Sequence, residues 1–216
     1  MKVPALTIEP RLITLEGGEG AGKSTVLSAL REALLTDGCE VVSTREPGGT
    51  PLAERIRELL LDPSYEAASA ETELLLMFAS RAQHVAERIL PALRRGAWVV
   101  SDRFTDSSHA YQGAGRGLDG GFIDALERRV VGIQPGLTLL LDLGIAHGRE
   151  RTRGRDLLPD RIERERDEFF ERVRSGFLAR AAQQPQRFEV IDASPAADVV
   201  ADVAIAKLKQ YRERIS

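Results

Sequence analysis

The stretch Gly17-Gly18-Glu19-Gly20-Ala21-Gly22-Lys23-Ser24 constrains this chain more than any other. It fits the pattern G-x-x-x-x-G-K-[ST]. A short apolar run, Arg11 to Glu16, precedes it and reads as a buried strand; Ser24 to Leu35 follows with helical spacing at Val26, Leu27, Leu30 and Leu34. Glycines at such a junction let successive backbone N–H groups turn inward on phosphate oxygens, and the helix N-terminus adds a positive end. Lys23 can place a full charge on the β- and γ-phosphates, and the Ser24 hydroxyl can ligate Mg²⁺. The motif establishes nucleotide binding without fixing a reaction. A guanine-nucleotide switch is excluded on sequence, because the chain has no Asn for N-K-x-D and no D-x-x-G.

The same alternation continues along the chain. Further strands are predicted at Glu40–Thr44, Ala97–Ser101, Leu137–Leu143 and Phe188–Asp192. Helices are predicted at 52–61, at 71–93 with a kink near Pro91, at 122–130, at 146–180 with a break around 154–159, and at 196–211. The five glycines between Gly113 and Gly121 predict a loop or turn. Short apolar strands alternating with helices mean right-handed β-α-β units: a mainly parallel sheet of about five strands, covered on both faces in an α/β/α sandwich. Ligands in such sheets sit at the carboxyl ends of the strands, so the chemistry belongs after Glu16, Thr44, Ser101 and Leu143. At 216 residues the chain is expected to form a single domain.

Composition removes several function classes. No apolar run approaches the ~20 residues of a membrane span, and Met1 to Pro10 holds no apolar signal core. A net charge of −3 is no footprint for nucleic acid or an anionic membrane. Cys39 is alone, which suits a reducing cytoplasm.

A second set of residues carries a resemblance. Glu16 to Thr25 (EGGEGAGKST), Thr44 to Thr50 (TREPGGT), Asp102-Arg103-Phe104, Ala110 to Gly117 (AYQGAGRG) and Asp160 to Glu163 (DRIE) span most of the chain. Together they resemble the thymidylate kinases, nucleoside monophosphate kinases of the P-loop class. The resemblance implies a P-loop kinase fold with a short Arg-rich lid, an insertion at about 146–163. It implies ATP and dTMP as partners, Mg²⁺ as cofactor, dTDP as product feeding dTTP synthesis, and a homodimer. ATP would lie on Gly17, Gly18, Glu19, Gly20, Ala21, Gly22, Lys23, Ser24 and Thr25.

What the resemblance implies for single residues agrees with their chemistry. Asp102 can hold Mg²⁺ through water beside Ser24, and Arg103 can bridge donor and acceptor phosphates. Arg45, Pro47 and Arg57 belong near the acceptor 5′-phosphate, which suits a forked Arg donor. Phe78 and Arg81, three apart on a helix, would stack on thymine and donate to its O4. Without the resemblance, Phe78 fits a core stripe with Leu74, Leu75, Ala82 and Val85. The Gln112 amide can satisfy the pyrimidine N3–H or its neighbouring carbonyl; Ser107 belongs to the same pocket, and Tyr111 could crowd a 2′-hydroxyl. Glu19 would contact the sugar 3′-hydroxyl. Gly20 stands where some relatives carry Arg, so a catalytic Arg must come from elsewhere. The candidates are Arg153, Arg151 and Arg155 in the lid, beside Lys23, Asp102 and Arg103. Two other readings of the residues stay open at this stage: a P-loop kinase for cytidylate or adenylate, and a P-loop binding module without turnover.

Overall fold

In the computed structural model, which describes residues 4–153 and 160–215, the run before the glycines becomes the central strand of a five-stranded sheet. The strands are β1 (Thr7–Gly17), β2 (Val41–Arg45), β3 (Trp98–Asp102), β4 (Ile133–Asp142) and β5 (Phe188–Asp192), in the order β2-β3-β1-β4-β5. Every neighbouring pair is parallel. The helices are α1 (Lys23–Thr36), α2 (Pro51–Leu61), α3 (Ala70–His84), α4 (Leu90–Arg94), α5 (Thr105–Ser108), α6 (Gly120–Leu126), α7 (Ile145–Thr152), α8 (Asp167–Gln183) and α9 (Ala197–Ile215). No helix among the described residues is long and apolar enough to cross a membrane.

Strand parity sorts the layers. Side chains alternate faces along a strand, so Ile13 and Leu15 pack with Val26, Leu30 and Leu34 of α1 and with Ala204 and Leu208 of α9. Leu12 faces the other way, into Leu74 and Phe78 of α3. Further along that second face, Leu140 meets Phe169, Val173 and Phe177 of α8. The even positions Thr14 and Glu16 look toward this same layer, and both are buried.

The expected architecture is therefore present, with local differences. The predicted helix at 71–93 runs as α3, a π-helical turn (Val85–Ile89) and α4, so the irregularity falls just before Pro91. Leu75, expected in the core stripe, is exposed. The glycine-rich segment is not all loop: α5 continues through a π-helical turn (His109–Gly115), and a third such turn (Glu127–Val131) extends α6. The reason is packing. A Cβ at Gly115 would lie 2.6 Å from Phe169 Cε2, and one at Gly176 of α8 would lie 2.6 Å from Ala114 Cβ. These glycines permit close approach to α8 rather than a turn. The helix expected over 146–180 divides into α7 and α8, and residues 160–166 form turns between them. Gly154, Arg155 and Pro159 of the lid lie outside the described residues.

Candidate active site

The phosphate loop leaves β1 at Gly17 and enters α1 at Lys23. Gly17, Gly20 and Gly22 take φ of 135°, 74° and 87°, conformations that L side chains rarely adopt. Lys23 is buried and donates to the carbonyls of Gly17 (3.3 Å) and Gly18 (2.8 Å). Burial and the nearby Arg103 guanidinium push its ammonium below the usual lysine value. Ser24 and Thr25 are exposed in the first turn of α1. Gly20 lies against α7: a Cβ there would meet Gly148 O at 2.5 Å, and a Cβ on Gly148 would meet Glu19 O at 2.7 Å.

Beside the loop lies a cavity of about 80 Å³, lined among others by Glu19, Pro47, Arg57, Arg81, Arg103 and Gln112. Ser107, Tyr111, Met77 and Asp160 complete much of its wall. Arg103 joins the two regions. It is the one described non-glycine residue with positive φ (72°), and its guanidinium donates to Gly17 O (3.1 Å), Glu19 Oε1 (2.7 Å), Ser107 Oγ (3.2 Å) and Tyr111 Oη (3.1 Å). Desolvation works against the Glu19 carboxylate, but Lys23 and Arg103 outweigh it and hold the group at about 2. Burial pushes the Tyr111 hydroxyl up to about 12, so it stays a neutral phenol.

The end of the cavity at Arg81 and Gln112 is fixed by buried acids that reading the sequence did not single out. Glu46 pairs with Arg81 Nε (2.6 Å) and His84 Nδ1 (2.9 Å). Arg81 also donates to Ser108 Oγ and Phe104 O, each at 3.0 Å. Glu73 accepts from Gln112 Nε2 at 2.9 Å. Glu16 accepts from Phe104 N at 2.8 Å and is 2.6 Å from Ser107 Oγ. Burial and the neighbouring Asp106 push Glu16 up to about 8. An isolated Glu reads as a surface residue. Glu16 and Glu46 stand in quoted motifs at strand ends, whereas Glu73 lies in the first turn of α3, where nothing in the local sequence marks it.

Two expected residues are placed differently. Phe78 is buried in the core and is not part of the cavity wall; Met77 occupies that position. At about 100° per residue, Met77 and Arg81 are four apart and share a helix face, whereas Phe78 turns toward the sheet. Phe78 supports the site indirectly, with the Arg81 guanidinium 4.7 Å from its ring centroid. Arg45 is exposed and paired with Glu54 rather than facing the cavity. Arg57 does line it, and donates to Pro47 O at 3.0 Å.

On α7, Arg149 pairs with Asp167, and Arg151 donates to the carbonyls of Ala193, Ser194 and Pro195. Arg153 caps α7, is exposed, and its guanidinium has no partner among the described residues. Asp102 ends β3, and its Oδ1 is buried without a hydrogen-bond partner among the described residues. An unpartnered buried carboxylate oxygen is costly unless something cationic or a bound water meets it. Its place beside the phosphate loop therefore fits a hydrated divalent cation shared with Ser24.

Comparison with known proteins agrees with this geometry. A thymidylate kinase family profile matches residues 15–203. The thymidylate kinase of Chromohalobacter salexigens is 59% identical over 192 residues, 88% of this chain and 91% of that protein. That of Pseudomonas fluorescens is 55% identical over 203 residues, 94% of this chain and 96% of the relative. The crystal structure of the Ehrlichia chaffeensis thymidylate kinase superposes with a TM-score of 0.76 at 33% identity, covering 94% of this chain and 99% of that one. A phosphate loop, a separate polar cavity joined to it by one arginine, and relatives aligned along nearly the whole length make this chain a member of the thymidylate kinase family.

Proposed function

We propose that the chain transfers the γ-phosphoryl group of ATP to the 5′-phosphate of dTMP, giving ADP and dTDP. The observation that carries this reading is Arg103, whose guanidinium reaches the phosphate loop at Gly17 O and the second cavity at Ser107 and Tyr111. Direct transfer needs two phosphates held in line and their charge offset, with no covalent nucleophile. Residues 17–25 hold the donor phosphates, with Lys23 supplying charge. Arg57 and Arg103 meet the acceptor phosphate. Arg81 donates to O4 and Gln112 meets N3–H of the base. Glu19 holds the 3′-hydroxyl, and Tyr111 crowds the position a 2′-hydroxyl would take. Ser24 and Asp102 would hold Mg²⁺, which when bound offsets charge on the phosphate oxygens.

From the lid, Arg153 and Arg155 are the candidates to reach the transferring group; Arg151 is already occupied at the loop after β5. A homodimer is supported by Leu52 and Leu59 on one face of α2 and Leu75 on the adjoining α3, all exposed. We place the reaction in the cytoplasm on the strength of the lone Cys39. The test is a panel of nucleoside monophosphates with ATP and Mg²⁺, reading out diphosphate formation. The dTMP reaction should have the highest kcat/KM, and Lys23→Ala should abolish it while circular dichroism stays native. A higher kcat/KM for another monophosphate overturns the reading.

A further inference from the structure

Gln112 is buried and faces the cavity, yet an amide is ambiguous: its oxygen accepts and its nitrogen donates, and the two ends are alike in shape. Thymine and cytosine differ in this same respect. Thymine presents a donor at N3 beside an acceptor at O4; cytosine presents an acceptor at N3 beside a donor amino group. A freely flipping glutamine would serve either base. Here the flip is decided from behind. Gln112 Nε2 lies 2.9 Å from Glu73 Oε1. A carboxylate only accepts, so the nitrogen must face it, and the oxygen is left as the end offered to the cavity.

Glu73 is itself 1% exposed and is not part of the cavity wall. Arg116 donates to it from Nη2 at 3.1 Å, and Arg161, at the far end of the lid, from Nη2 at 2.8 Å. Burial opposes the charged form, but Gln112, Arg116 and Arg161 outweigh it and keep the carboxyl ionised, below the usual glutamate value. Arg161 is anchored in turn, donating to Leu60 O from Nε and to Leu61 O from its backbone N–H.

We infer that Glu73 is the positioning residue for base selectivity: by locking the amide of Gln112 with its oxygen toward the base, it makes the pocket accept the N3–H of a keto pyrimidine and reject the N3 lone pair of an amino pyrimidine. The inference rests on the acceptor reading proposed above. Arg81 completes the match, since a guanidinium donates only and suits O4 but not an amino group. Neither residue's discrimination involves the 5-methyl group.

The test compares dTMP, dUMP and dCMP as acceptors for the unmodified chain, for E73Q, for Q112L and for the double variant. A Gln at 73 can accept or donate, so it no longer dictates the flip. E73Q should lower the dTMP-to-dCMP ratio of kcat/KM about tenfold or more, the scale of one buried polar mismatch. The dTMP-to-dUMP ratio should stay within about twofold, because both bases carry N3–H. In the Q112L background, adding E73Q should leave the dTMP-to-dCMP ratio within about twofold. An unchanged ratio in E73Q, an equal fall in the dUMP ratio, or a shift that survives in Q112L would each overturn the proposal. Should E73Q fail to fold, N3-methyl-dTMP with the unmodified chain decides: a loss of about a hundredfold in kcat/KM supports the acceptor at N3, and transfer within about threefold of dTMP overturns it. Failure of the underlying reading shows differently, as no transfer to dTMP by the unmodified chain.

Discussion

Glu16 shows how much one strand position can hold. It is fully buried on the even-numbered face of β1, where Leu12 packs in the core and Thr14 bonds Thr138 across to β4. Its carboxyl ties the backbone of Phe104 and the hydroxyl of Ser107, and so sets the turn that carries Arg103. Burial, then Asp106, raises its pKa from the ordinary 4.5 to about 8. Between those two values the folded chain keeps a proton that the unfolded chain has lost, so this group's contribution falls as pH rises through the window and levels off above it. Gln at this position cannot titrate. The gap between the urea midpoints of the unmodified chain and Glu16→Gln should therefore move against the unmodified chain between about pH 5 and about pH 9; a constant gap would refute the assignment. Glu16 and Glu46 stand in motifs that assign them no role by themselves, and Glu73 stands in none. The cause is common to all three: their partners stand far away, 35 residues for Glu46 with Arg81 and 39 for Glu73 with Gln112. Local spacing showed Lys23 and Arg81 but could not show what held them.

At the scale of elements, strands were legible because their apolar runs are short and end in glycine or charge. The π-helical turns were not, since period counting assumes a constant 3.6 residues per turn. In α3, by contrast, the regular 100° per residue holds, and it puts Met77 with Arg81 on the cavity and Phe78 in the core. Long-range ion pairs bind these elements to one another. Asp106 of α5 is fully buried and takes both Nη atoms of Arg187, ahead of β5, at 2.7 Å each, and Arg180 Nε of α8 at 2.8 Å. Burial opposes its charge, but these guanidiniums dominate and hold it at about 2. Asp106→Asn leaves the buried Arg187 without its carboxylate and Arg180 with Glu127 alone, and should cost about 3–5 kcal/mol. Urea unfolding measures it, and a loss under about 1 kcal/mol would mean the cluster is not a structural clamp. The lid gives the other element-scale prediction. With Arg149 and Arg151 already engaged, Arg153, whose guanidinium has no partner among the described residues, is the proposed group to reach the transferring phosphoryl. Arg153→Ala should lower kcat about 10²-fold with a much smaller change in KM for dTMP. A kcat within about threefold of the unmodified chain would assign that task elsewhere.

For the whole molecule, the exposed Leu52, Leu59 and Leu75 make a testable surface. The chain should sediment as twice its monomer mass at micromolar concentration, and Leu59→Asp should shift it toward monomer, since a buried unpaired carboxylate is costly. A monomer for the unmodified chain would show that this face serves another purpose. The contact between Gly20 and Gly148 joins the phosphate loop to the root of the lid in a way that also bears on descent. The missing side chain of Gly20 leaves space for the backbone of Gly148, and that of Gly148 leaves space for the carbonyl of Glu19. An arginine at position 20, a second means of bringing a cation to the phosphates, therefore cannot be added while α7 keeps its place. The two solutions exclude one another by volume. A lineage could pass between them only through a variant in which the lid root had already withdrawn, and single changes at 20 should be harmful on a background such as this one while becoming tolerable on others.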